Sequence, residues 1–201
     1  MREYPEAGKL RGVGMAAGRS ERLQDSMRIE MEPLDTARLS LEPQVVAHAD
    51  AMFRVLSDPA IYEFENEPPA SAEALQERYR KLETRRSPDG RQHWLNWVAR
   101  VRDAGDVIGY VQATVLEEGD ALIAYEFGSA WWGRGLASEA VRAAMDHLVC
   151  RYQVKRIGAV FKRANNRSRR LLLRVGLRVA EAGEFPSSLA ADDEASMVVE
   201  L

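Results

Sequence analysis

The sequence contains a single cysteine, Cys150, so no disulfide can close within one copy of the chain. Histidine is nearly as scarce. His48, His93 and His147 stand far apart with no paired spacing, and no cysteine–histidine cluster offers a metal ligand set, so no metal is expected. No apolar run approaches the ~18 residues of a membrane span. The first residues lack the apolar core of a secretory signal, and Glu3, Glu6 and Glu21 set them apart from an acid-poor transit peptide. A cytoplasmic protein with no membrane partner is expected from these absences. A large charge of one sign is missing too: the formal net charge is −3, which excludes a generic polyanion binder.

What charge there is lies unevenly. From Asp146 to Glu181 the chain holds no acidic residue in between. The same stretch carries Arg151, Lys155, Arg156, Lys162, Arg163, Arg167, Arg169, Arg170, Arg174 and Arg178. Such a block is either a solvated face or the seat of a localised anionic partner. It lacks interleaved aromatics, which argues against a stacking platform for nucleic acid.

With 201 residues and 46% hydrophobic content, the chain is large enough for one domain with a real core. Residues 1–35 read as a flexible tail, interrupted by Gly8, Gly12, Gly14 and Gly18 and without sustained periodicity; the domain is expected over residues 36–201. It opens on a short alternating strand at Leu39 and Leu41. A helix with Val45, Ala49, Met52 and Leu56 on one face follows, then a second helix capped by Ser71 and carrying Leu75, Tyr79 and Leu82. Three strands come next, at about residues 95–101, 107–116 and 121–127, separated by turns at Asp103-Ala104-Gly105-Asp106 and Glu118-Gly119-Asp120. A long helix with an apolar stripe of Leu136, Ala140, Ala144 and Leu148 follows, flanked by Val141 and Met145. Behind it come a strand at 157–161, a helix at 168–175 ended by Gly176, and two strands at 179–182 and 197–201. The order predicts an α+β fold with a mixed sheet. Cys150 is expected as a small core residue and His147 at the surface.

The segment Trp131-Trp132-Gly133-Arg134-Gly135-Leu136-Ala137 joins a predicted strand to a predicted helix. Its two glycines and alanine leave the backbone bare, and the first N–H groups of the helix have no internal partners. Phosphate is the ligand such a loop suits. Two better-known motifs fail here. Residues 128–135 have P-loop spacing, but Arg134 and Gly135 replace its lysine and hydroxyl residue; residues 133–138 approach the dinucleotide fingerprint, but Ser138 stands at the third glycine.

This segment resembles the acetyl-CoA loop of the GNAT N-acetyltransferases, Gln/Arg-x-x-Gly-x-Gly/Ala. Gly135 and Ala137 match the last two fixed positions, and Trp132 departs from the first. The run W-W-G-R-G-L-A-S-E-A is similar to the branch that acetylates ribosomal-protein N-termini. Two further blocks agree: Asn165-Asn166-Arg167-Ser168 with Gly176-Leu177, and Thr36-Ala37-Arg38-Leu39-Ser40-Leu41. Leu173 and Leu177 depart from a frequent glutamate and phenylalanine. The resemblance implies a mostly antiparallel sheet with a splayed central strand pair, one strand at 121–127 and the other at 157–161. It implies acetyl-CoA as co-substrate and transfer by direct attack in a ternary complex. The acceptor is then a primary amine, a protein N-terminus or a small molecule such as an antibiotic, in a monomer or homodimer. A catalytically silent acyl-CoA sensor would share the fold.

For the cofactor, the implied contacts are Phe127, Gly128, Trp132, Gly133, Arg134, Gly135, Leu136, Ala137, Ser138, Asn165, Ser168 and Arg170. A backbone N–H near Phe127 or Gly128 would bond the thioester carbonyl. Gly135 is expected bare so that the phosphates can approach. Glu126, opposite in alternation to Tyr125 and Phe127, is the candidate base, acting directly or through water. Asn165 resembles the family asparagine near the cofactor arm or a catalytic water, and Ser168 the serine placed near the sulfur. Both residue types also cap helices.

Overall fold

The computed structural model describes residues 31–64 and 67–201; the expectation for residues 1–30 lies outside them. Among the described residues, eight strands form one sheet in the order β1-β2-β3-β4-β5-β6-β8-β7. They are β1 (Leu34–Asp35), β2 (Leu39–Pro43), β3 (His93–Val101), β4 (Val107–Val115), β5 (Asp120–Phe127), β6 (Arg156–Lys162), β7 (Arg178–Val179) and β8 (Glu194–Glu200). Every pairing is antiparallel except β5 with β6. The boundary expected at residue 35 falls inside the sheet edge. Leu34 pairs with Leu41, and the Glu32 carbonyl accepts a hydrogen bond from the Trp97 indole at 3.2 Å.

Helices α1 (Ala49–Leu56) and α2 (Ala72–Leu82) cover one face, where Met52, Leu56, Leu75, Tyr79 and Leu82 bury against Val98 and Tyr110. The helical period read from the sequence sets that stripe, and Ser71 Oγ caps α2 by accepting from the Ala74 N–H at 3.1 Å. On the other face lie α3 (Leu136–Tyr152) and α4 (Asn166–Arg174). The predicted stripe of α3 is buried throughout, against Trp97, Val111, Ala113, Ile123, Ile157 and Phe161. Val45 departs from the expected first helix: it is exposed and precedes a single 3-10 turn. Cys150 is exposed, on the outer side of the last turns of α3. His147 is half-buried, with its ring edge-on to Trp97 and Tyr152.

The parallel pair decides where a ligand can enter. β5 and β6 are joined only at Asp120↔Arg156, Ala121↔Ile157 and Leu122↔Gly158. The Arg156 guanidinium clasps the buried Asp120 carboxylate through two hydrogen bonds, 2.8 and 2.6 Å, at this closed end. Beyond Leu122, β5 stays with β4 as far as Phe127↔Gly109, while β6 stays with β8 as far as Lys162↔Glu194. Each strand follows its own neighbour, and a V opens between them.

β4 carries an irregularity at the wide end. Ala99 pairs with Gly109 but Arg100 with Val107, so Ile108 is an inserted residue. Gly109 sits beside it with no room for a side chain: an added Cβ would come within 2.3 Å of the Glu126 carbonyl and 2.8 Å of the Phe127 Cα. Both are backbone atoms of the strand that lines the V. Gly109→Ala should therefore destabilise by about 1–3 kcal/mol, a melting-temperature loss of roughly 3–10 °C. An unchanged melting curve would show that β5 can retreat freely.

Candidate active site

Strand register aims the backbone of β5. The Gly128 N–H donates to the Ile108 carbonyl at 3.0 Å, and the Leu116 N–H to the Asp120 carbonyl at 2.8 Å. These bonds put the even-numbered residues of β5 in the ladder with β4. The odd-numbered peptide groups turn the other way: the Ile123 N–H closes the ladder with β6, and the N–H and C=O groups of Tyr125 and Phe127 face the V. Of the two N–H groups expected near the thioester, Gly128's is therefore engaged with β4 and Phe127's faces the opening. The Phe127 carbonyl accepts the Trp132 indole N–H at 2.7 Å, which folds the next loop back over the strand end.

That loop delivers the chain to α3 through Gly133 and Gly135, whose φ of +74° and +76° L side chains rarely adopt. Gly135 is the N-cap and supplies no side chain to the helix, so the first N–H groups, at Leu136, Ala137 and Ser138, are left for another acceptor. The backbone adds its own requirement for glycine at 135. Its conformation demands glycine, and an added Cβ would come 3.6 Å from the Arg38 guanidinium. Glu139 anchors the turn from behind. It accepts from the Thr36 hydroxyl at 2.6 Å, the Arg38 N–H at 2.9 Å and the Arg38 Nε at 2.7 Å, while Arg38 Nη1 donates to the Arg134 carbonyl at 3.0 Å. Burial works against the charge on Glu139, but Thr36 and Arg38 outweigh it and hold its carboxyl below the usual range. Two sequence blocks about a hundred residues apart thus brace one loop.

A cleft of about 370 Å³ runs from this helix end through the V. Phe127, Trp132, Gly133, Gly135, Leu136, Ala137, Ser138, Asn165, Ser168 and Arg170 of the expected cofactor set line it, and so does Glu126. Gly128 and Arg134 do not: Gly128 is bonded to β4, and the Arg134 guanidinium lies over the Trp131 ring, 5.0 Å from its centroid.

Tertiary packing disperses the basic block. Arg151 pairs with Glu32, Arg156 with Asp120, Lys162 with Asp193, Arg167 with Glu63 and Arg178 with Glu184. Arg170 and Arg174, one turn apart on α4, line the cleft, and so does Arg167 although it pairs with Glu63. Arg174 was missed from the sequence; its spacing from Arg170 was the available signal. Arg167 lies 4.1 Å over the Trp132 ring and 5.4 Å from that of Phe64, so the tryptophan at the motif's first position becomes a stacking surface.

Asn165 Oδ1 caps α4 by accepting from the Ser168 N–H at 3.0 Å, which leaves its amide nitrogen for any ligand. The Ser168 hydroxyl lies 3.0 Å from the Tyr125 hydroxyl. Tyr125 descends from β5 on the α4 face; burial pushes its phenol up, against a smaller opposing effect of the Ser168 bond. Glu126 stands on the opposite face beside its register partner Tyr110, with which its carboxylate shares a hydrogen bond. The Tyr110 phenol is raised well above its ordinary value by burial, then by the charge of Glu126. Glu126 and Ser168 therefore approach one cleft from two sides of the sheet. Among the described residues no group of three or more His, Cys, Asp or Glu could hold a metal ion, and no helix is long and apolar enough to cross a membrane.

Known proteins share this architecture. The chain is 29% identical to an uncharacterized N-acetyltransferase, p20, of Bacillus licheniformis over 144 residues, which is 71% of this chain and 80% of that protein. Among solved structures, a GNAT-family acetyltransferase from Bacillus anthracis superposes with a TM-score of 0.67 at 17% identity, covering 84% of this chain and 98% of that one. The ribosomal L7/L12 α-N-protein acetyltransferase RimL, solved with coenzyme A, gives 0.68 at 15% identity, covering 85% and 98%. The family model for the acetyltransferase (GNAT) domain matches residues 38–178, from the arginine that braces the loop to the strand beyond α4, and the chain belongs to the GNAT acetyltransferase family.

Proposed function

We propose that the protein moves an acetyl group from acetyl-CoA to a primary amine, with a protein N-terminus as the favoured acceptor class. One observation carries this reading. A single cleft touches the uncapped N-terminus of α3 and Arg170 at one end and Glu126 at the other, passing between two strands that have parted.

The residues fit the donor part by part. The diphosphate would take the N–H groups of residues 136–138, helped by the helix dipole and by Arg170 and Arg174. The pantetheine arm would run along β5, whose odd-numbered peptide groups offer strand-like hydrogen bonds. The thioester carbonyl would meet the Phe127 N–H, which stabilises the oxyanion as the amine attacks. The amine nitrogen forms the new bond to the carbonyl carbon, the C–S bond breaks, and sulfur departs as thiolate beside Ser168. The ammonium proton passes to Glu126, directly or through water.

RimL is named as an acetyltransferase of a protein α-amine. A protein α-amine has a pKa of about 7.7–8.0, so a carboxylate base need help it only modestly near neutrality; a lysine amine, near 10.4, needs more.

The test is release of coenzyme A from acetyl-CoA in the presence of N-terminal peptides, polyamines and aminoglycosides. Acceptor-dependent release with at least one N-terminal peptide is expected. Release only with small amines would move the acceptor class. Tight acetyl-CoA binding without release from any amine would make the protein a sensor.

A further inference from the structure

Either hydroxyl can donate in the Tyr125–Ser168 contact, and the surroundings favour one direction. The phenolic hydroxyl lies 3.0 Å from Ser168 Oγ and 3.4 Å from the Ser168 carbonyl, and no other partner is found for it among the described residues. A carbonyl cannot donate, and the Ser168 N–H is already given to Asn165 Oδ1. Both acceptors open to the Tyr125 proton thus belong to Ser168. The phenol, with an ordinary pKa near 10, is also a far better donor than an aliphatic alcohol. If the serine donated instead, it could offer an approaching sulfur only lone pairs, and a thiolate would be repelled.

We infer that Tyr125 is a positioning residue: by donating to Ser168 Oγ it occupies the serine's acceptor side and frees the serine proton for the coenzyme A sulfur in the cleft that both residues line. This goes one step beyond the proposed acetyl transfer and rests on it. No proton need leave either hydroxyl. Burial raises the Tyr125 phenol further above the ~8.5 of a thiol, so proton transfer along the pair to sulfur runs uphill. The pair works by hydrogen bonding alone, each bond polarising the next. The Tyr125 ring is partly buried against the main core, and Tyr125→Phe keeps that ring and removes one oxygen.

The pair can be read without knowing the acceptor. Coenzyme A is bound to wild type, Tyr125→Phe, Ser168→Ala and the double variant, and the pKa of the bound thiol is measured from the ultraviolet absorbance of the thiolate. Ser168→Ala should raise that pKa by about 1 to 2, the loss of a hydrogen bond to a charged group. Tyr125→Phe should raise it by about 0.4 to 1, and the double variant should match Ser168→Ala. A merely structural role for Tyr125 would lower the melting temperature and leave the thiol pKa where it was, which overturns the inference. Full additivity in the double variant overturns it too, since Tyr125 would then act independently of Ser168. Failure of wild type to bind coenzyme A removes the proposed function as well.

Discussion

Ala137→Asp should weaken acetyl-CoA binding by about 10²–10³-fold while leaving the fold as stable as before or slightly more so. Position 137 is the second residue of α3 and lines the cleft. A carboxylate there is the charge a helix N-terminus favours, worth about 0.3–1 kcal/mol, and it supplies an acceptor to N–H groups that Gly135 leaves uncapped. The same charge opposes a phosphate seeking those groups. Two unit charges about 4–5 Å apart repel by roughly 3–4 kcal/mol at an effective dielectric constant near 20, and ~1.4 kcal/mol is tenfold. Ala137→Asn adds nearly the same volume without the charge and should lose far less. Titration calorimetry and thermal melts of the three proteins separate the possibilities. Equal losses in Asp and Asn would mean crowding, and no loss in either would place the phosphates elsewhere.

Glu126→Gln should lower turnover by about 10²–10⁴-fold below neutral pH, the usual worth of a positioned general base. The shape is nearly conserved and the amide oxygen can still accept from Tyr110, so the fold should survive. The sign of the pH dependence comes from the acceptor. Below a pKa of about 7.7–8.0 an α-amine is mostly ammonium and must lose a proton to react, which is the step the carboxylate serves. Above it the free amine dominates, so the defect should shrink as pH rises. A defect of constant size from pH 6 to 9, or none, would return Glu126 to a role in holding the Tyr110 side of the sheet.

Much of the secondary structure was legible in the chain because it depends on short-range periodicity. The stripe from Leu136 to Leu148, the alternation from Leu95 to Ala99, and Ser71 as the cap of α2 are all fixed by which side of a helix or strand an apolar residue faces. The errors came where neighbours distant in sequence decide. Nothing local to Leu34–Asp35 announces a strand, since two residues form one only when Ser40 and Leu41 are there to pair with. Cys150 has the type of a core residue, yet the outward side of α3 leaves it exposed.

The sequence by itself determined the element order, the helix that presents bare N–H groups, and Glu126 as the carboxylate opposite Tyr125 and Phe127. The glycines, the helical period and the strand alternation act within a few residues and can be read there. Only the tertiary structure decided that β5 and β6 part after Leu122, and that Phe127 rather than Gly128 turns its N–H into the gap. It also decided which members of the basic block reach the cleft. Ion pairs with Glu32, Asp120, Asp193 and Glu184 draw four of them elsewhere, while Arg167, Arg170 and Arg174 line the cleft wall. Charges, hydrogen-bond acceptors and strand edges act across space, and the chain fixes the distances between them only once it has folded.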